Sequence, residues 1–143
     1  MADFQSAMRR QQPGFRLNEN YDAANAALRL TPQEQALYQR HLSNLWGNGG
    51  VTNQDGSRSS LYQMGVTGPG GLTYNLPTVY NGQILSPDAA IQQAAKQGWN
   101  TFPSYPTSDA AEARYQAMHN YMDRDTGNYF AISRPDGAPF SLF

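Results

Sequence analysis

Cysteine does not occur among the 143 residues. That excludes a disulfide framework, a thiol nucleophile and a zinc–thiolate centre. Charge is scarce as well: Asp, Glu, Lys and Arg make up 15% of the chain, against about 25% in an ordinary soluble domain. With 10 basic and 11 acidic residues the net charge is −1. No basic field of the kind that holds phosphates is present, so sequence-specific nucleic-acid binding is not expected. His41 and His119 are the only histidines, and their separation matches neither HxxxH nor HExxH, so the common metal motifs are missing. No apolar run approaches the roughly 20 residues that a bilayer span requires, and MADFQSAMRRQQPGF lacks the apolar stretch of a secretory leader. Neither metal, cofactor nor membrane span is expected.

What the sequence has in quantity is Gln, Asn, Ser, Thr and Tyr, together with 13 Gly and 9 Pro. A surface that is polar yet weakly charged suits packing against neighbouring proteins. A chain of this length has room for one compact core.

The expected organisation is an N-terminal arm over 1–30, a compact α+β domain over 31–127 and a C-terminal arm over 128–143. In the first arm Pro13-Gly14 breaks any early helix, although the alanines of Asp22–Leu30 allow a short one. Thr31-Pro32-Gln33-Glu34 has the spacing of a capping box with proline at the first helical position. It starts a leading helix over 31–46, with Tyr38, His41, Leu42, Leu45 and Trp46 on one face. Residues 47–60 read as a flexible or tightly turned connection.

From Leu61 the apolar period becomes two. Gly68-Pro69-Gly70-Gly71 separates two alternating stretches, and Asn81-Gly82 is a strong tight-turn pair leading to Gln83-Ile84-Leu85, which predicts a three-strand unit. Ser86-Pro87-Asp88 starts a second helix with a small-residue face of Ala90, Ile91, Ala94 and Ala95, closed by Gly98. An aromatic–proline loop follows with Trp99, Phe102 and Tyr105. A third helix is predicted over Ser108–Met122 on the stripe Ala111, Tyr115, Met118 and Met122. The fold class is therefore α+β, a hairpin or three-strand unit packed with two or three helices and extended arms at both ends.

The stretches LTPQEQALYQRHLSNLWGNGGVTNQDGSRSSLYQM, YNLPTVYNGQILSPDAAI and WNTFPSYPTSDAAEARYQAMHNYMDRDTG, covering roughly residues 30–127, resemble a module of tailed-bacteriophage virion proteins. It is found alone or within internal or ejection-type proteins. The resemblance implies a structural component made in the bacterial host cytoplasm and located in the virion, partnered by portal, adaptor, tail or capsid protein or by copies of itself in a homo-oligomer. It carries over no catalytic residues. The interface candidates are Phe4, Arg9, Arg10, Phe15 and Tyr21 at the front, Trp99 and Phe102 in the aromatic loop, and Tyr129, Phe130, Phe140 and Phe143 at the end. Scattered large side chains of this kind can lie in a partner's groove, and their ordering cost is met on assembly.

Such particles also carry peptidoglycan-cleaving or host-wall-binding accessory proteins, which is the alternative function. A glycosidase needs a carboxylic acid of raised pKa and a second carboxylate. Glu34 is explained by its cap, and Glu112 falls in the first turns of a helix, where acids are common. Asp123-Arg124-Asp125-Thr126-Gly127 has the outline of a calcium loop without its remaining ligands, so a turn with solvated acids is expected. No serine–histidine spacing, nucleophile elbow or Walker loop is present. The aromatics lack the basic groove of a single-strand binder. The chain is expected not to be an enzyme.

Overall fold

The computed structural model describes residues 18–132. In chain order the elements are α1 (Glu19–Leu28), α2 (Pro32–Trp46), β1 (Val51–Thr52), β2 (Arg58–Ser59), β3 (Met64–Thr67), β4 (Thr73–Leu76), β5 (Val79–Tyr80), β6 (Gln83–Ile84), α3 (Pro87–Gln97), β7 (Ser104–Tyr105) and α4 (Ser108–Ile132). Short 3₁₀ turns at Pro69–Gly71 and Trp99–Thr101 complete it. The architecture is α+β. No described helix is long and apolar enough to cross a membrane.

The local chemistry read from the sequence starts the elements where expected. Thr31 Oγ1 accepts from the Glu34 amide at 3.1 Å while Glu34 Oε1 accepts from the Thr31 amide at 3.0 Å, which closes the capping box at the head of α2. Ser86 caps α3 through the Ala89 amide at 3.2 Å. Asn81 and Gly82 take left-handed conformations, with φ of 52° and 78°, the geometry of the tight turn joining β5 to β6.

Strands β3, β4 and β7 form an antiparallel sheet in that spatial order. Met64 pairs with Leu76, and Thr73 pairs with Tyr105 on the other side. All four β4 residues are buried because helices cover both faces of the strand. On one face Tyr74 and Leu76 meet Ala94 of α3 and Phe102, with Trp99 packed against them. On the other face Asn75 donates to the Ala111 carbonyl of α4 at 3.0 Å. A second core joins α1, α2 and α4 through Ala24, Leu37, Tyr38, Leu42, Met118 and Met122, with Leu61 reaching in from the strand side.

Four expectations need correction. Residues 19–30 do not belong to an arm: α1 packs on α4, burying Ala24, and Leu30 joins the same core. The third helix does not stop at Met122 but runs to Ile132, so residues 128–132 are helical too. The connection over 47–60 contains a small hairpin, β1 paired with β2. Ala95, assigned to the buried face of α3, is exposed; Ala90 and Ala94 alone are fully buried there. The rest of the proposed arms, 1–17 and 133–143, lies outside the described residues.

Candidate functional site

Two buried polar hubs tie the helices together, and one of them opens on a cleft. The first is built on Glu34 at the start of α2. Its carboxylate accepts two guanidinium N–H bonds from Arg114 of α4, at 2.7 and 2.9 Å, and the Tyr105 hydroxyl of β7 at 2.7 Å. Arg114 also donates to the Leu28 carbonyl at the end of α1. Burial pushes the Glu34 acid upward, but the bonds from Arg114, Thr31 and Tyr105 together outweigh it and hold its pKa below the usual value. Tyr105 is pushed up, first by burial and then by its bond to Glu34. A glycosidase acid needs the opposite shift, so Glu34 serves as a structural anion. Glu112 is exposed and only accepts from Gln116, at 3.2 Å.

The second hub centres on Asp125. Tyr38 and His41 stand three residues apart on α2 and so share a face. Ala111, Met118, Met122 and Asp125 are the buried residues of α4, spaced 7, 4 and 3 apart along one stripe. Where the two faces meet, Asp125 Oδ2 accepts from the Tyr38 hydroxyl at 2.6 Å and pairs with His41 Nε2 at 3.1 Å, while Oδ1 accepts from Asn20 of α1 at 2.9 Å. Asp125 is thus not one of the solvated acids expected of Asp123-Arg124-Asp125; it is buried because its partners supply three donors. Burial and the neighbouring Asp125 push the Tyr38 hydroxyl well above its ordinary pKa, so it remains a donor.

The far side of the His41 ring completes a chain. Nδ1 lies 2.5 Å from the Ser60 hydroxyl. A carboxylate at Nε2 calls for the proton on that nitrogen, which leaves Nδ1 of the neutral ring as acceptor, so Ser60 donates. Ser60 is held by more than this bond. Its carbonyl accepts from Asn44 Nδ2 at 2.8 Å, and two residues earlier Arg58 donates to the Asn44, Leu45 and Gly47 carbonyls at the end of α2. The hairpin is thereby fastened to the helix that carries His41. Tyr38 and His41 also meet edge to face at 5.5 Å.

Ser60 is half-buried and lines a cleft of about 380 Å³ between the strand side and α4. Its walls include Tyr62, Gln63, Tyr115 and His119. Tyr62 is 65% exposed and takes a φ of 43°, a conformation uncommon for a bulky residue and worth reading for function. His119 stacks on Tyr115 at 5.3 Å and pairs with Asp123 at 3.3 Å. The Tyr115 hydroxyl is pushed up by burial, then by Glu112 and Asp123. Gln63 and Tyr115 also line an adjoining cleft of about 350 Å³. Among the described residues no cluster of three or more His, Asp or Glu side chains could hold a metal ion.

The fold scatters the interface candidates. Phe102 is buried in the core around β4, and Trp99 packs half-buried beside it, edge-on to Tyr74 at 4.9 Å. Tyr21 packs edge-on against Tyr38 at 5.3 Å. Tyr129 meets Trp46 and Phe130, each at 5.2 Å, with the Arg58 guanidinium over its ring. Phe4, Arg9, Arg10, Phe15, Phe140 and Phe143 lie outside the described residues. No sequence spacing reports the Ser60–His41–Asp125 chain, because its members are separated by 19 and 84 positions. One signal pointed toward it: Asp125 follows Met122 by three, in phase with the α4 stripe. Compared with known proteins, the chain matches no family model, no curated protein and no solved structure.

Proposed function

We propose that this protein is a structural component of a tailed-phage particle that works through protein–protein contacts, located in the virion among portal, adaptor, tail or capsid proteins or copies of itself. The observation that carries the contact role is the outer edge of β3. The sheet order leaves that edge without a partner strand among the described residues. Its residues Met64-Gly65-Val66-Thr67 contain neither charge nor proline, the devices that ordinarily protect an open edge. The opposite edge, β7, is only two residues long and stands between Pro103 and Pro106, which keep further strands from pairing there. One edge is guarded and the other is ready to accept a strand from a neighbour.

The phage setting is supported by the module-like run of residues 30–127 and by the low charge of a surface otherwise rich in amides, hydroxyls and tyrosines. The test is a mass-spectrometric inventory of purified particles of the phage that encodes the chain. The protein is expected in constant ratio to the portal or capsid protein. Its absence from washed particles would overturn the placement. Loss of incorporation on Thr67→Lys, which puts a charge on the β3 edge at an exposed position, would tie the contact to that strand.

A further inference from the structure

We propose that Ser60, activated by His41 and Asp125, is the nucleophile of a hydrolytic site for neutral short-chain carboxylic esters in the cleft it lines. This inference goes beyond the contact role and does not depend on it.

The relay has the three roles that an acyl-transfer site needs. Asp125, buried and held by Tyr38 and Asn20, fixes the proton of His41 on Nε2. Nδ1 is then a bare base, and it stands at 2.5 Å from the Ser60 oxygen, within general-base reach. The two ring nitrogens have exchanged places relative to the chymotrypsin arrangement, but each has a triad's chemical role. Ser60 is the one relay member on the cleft wall that is not fully buried, so a substrate can approach the nucleophile while the base and its orienting acid stay dry. The backbone carrying Ser60 is fixed from two sides, by Asn44 and through Arg58, as a positioned nucleophile requires.

The chemistry balances with water as the only co-substrate. Ser60 Oγ attacks the ester carbonyl carbon as its proton passes to His41 Nδ1. The tetrahedral intermediate collapses, the carbon–alkoxide bond breaks, and Nδ1 returns the proton to the leaving alcohol. Water, giving a proton to Nδ1, then attacks the acyl-serine. Collapse releases the carboxylic acid and restores the Ser60 hydroxyl. Two donors on the same walls, the Gln63 carboxamide and the Tyr115 hydroxyl, make no hydrogen bond within the described residues and can meet the charge that develops on the carbonyl oxygen.

The walls also set the substrate class. A volume of about 380 Å³ is at the small end of ligand sites, so both acyl and alcohol parts must be compact. The cation on the wall, Arg58, spends its donors on Leu45, Asn44 and Gly47 carbonyls and the Thr52 hydroxyl. Asp123 stands on the same wall. An anionic substrate would find no free counter-charge there. A neutral ester fits, with the stacked Tyr115–His119 pair as its apolar surface.

The experiment uses the full chain with a fluorophosphonate probe and 4-nitrophenyl acetate. Peptide mass mapping should find the phosphonyl adduct on Ser60. In Ser60→Ala the kcat/KM for the acetate should fall by about 10³-fold or more, with a cooperative thermal unfolding transition retained. Because labelling is read on the unaltered protein, the test does not depend on a variant that folds. An unlabelled Ser60, an adduct confined to other residues, or wild-type turnover in Ser60→Ala would each overturn the assignment. The particle inventory reads the contact role separately.

Discussion

Glu34 shows how one residue can cap a helix and join three elements at once. Breaking a buried ion pair by removing one partner costs about 3–5 kcal/mol. The Arg114 side chain is 29% exposed, which places Glu34→Gln at the lower end, about 3 kcal/mol, measurable by urea denaturation at neutral pH. The pH dependence follows from the lowered pKa. Between the unfolded value of about 4.3 and the lower folded one, the unfolded chain binds the proton first. The pair's contribution is therefore complete above that window and is lost as pH falls through it. The stability gap between wild type and Glu34→Gln should narrow on acidification through the same window. A gap that stayed constant or widened would contradict the assignment. Asp125→Ala strands two buried donors, on Tyr38 and His41, and the half-buried amide of Asn20, and a loss of about 3–5 kcal/mol is expected from the same denaturation assay.

Among the elements, the close packing between the β3–β4 turn and the Trp99 turn is the most sensitive junction. A methyl group added at Gly68 would stand 2.7 Å from the Tyr74 ring and 2.9 Å from Trp99. Neither ring can retreat freely, because they hold each other edge to face. Gly68→Ala should cost about 1–3 kcal/mol as an overpacking defect. Trp99→Ala should cost about 3 kcal/mol through loss of ring packing on Tyr74, somewhat below a fully buried tryptophan because the ring is half-buried. Calorimetry of both variants checks the pair, and a neutral Gly68→Ala would show that the turn gives way. This junction also marks how far the sequence could be read. The cap of α2, the cap of α3 and the Asn81-Gly82 turn are local signals, and each was legible from its own few residues. The length of α4 was not, because Asp125-Thr126-Gly127-Asn128 reads as a stop. Tertiary partners override that reading: Asp125 is bound by α1 and α2, and Tyr129 packs on Trp46. Gly127 stays in the helix at a propensity cost of about 1 kcal/mol. The docking of α1 on the core is illegible for a similar reason: its alanines allow a helix, but its one fully buried residue is Ala24, which leaves almost no apolar period to mark a packed face. The Ser60–His41–Asp125 relay exists only once these elements are docked, so no spacing rule could report it.

At the scale of the whole molecule, the two polar hubs bridge the first and last described helices. The Asn20–Asp125 bond spans 105 positions, Tyr38–Asp125 spans 87, and Arg114–Glu34 spans 80. Neither hub can form until chain ends far apart in sequence have met, and loop closure must precede the gain from either contact. The secondary structure is largely helical, and helical proteins commonly fold in microseconds to milliseconds because their contacts are local. Here the decisive contacts are not local. Stopped-flow refolding should therefore show a rate nearer the millisecond-to-second range of sheet proteins. Asp125→Ala should mainly accelerate unfolding, since a contact of such long range closes after the transition state. A sub-millisecond refolding phase carrying the full amplitude would mean that α1 and α4 find each other early. The same long reach makes α4 the clasp of the molecule: a nascent chain that has exposed α1 and α2 still lacks the residues that neutralise Glu34 and fix His41, and must keep those groups in water until the last helix arrives.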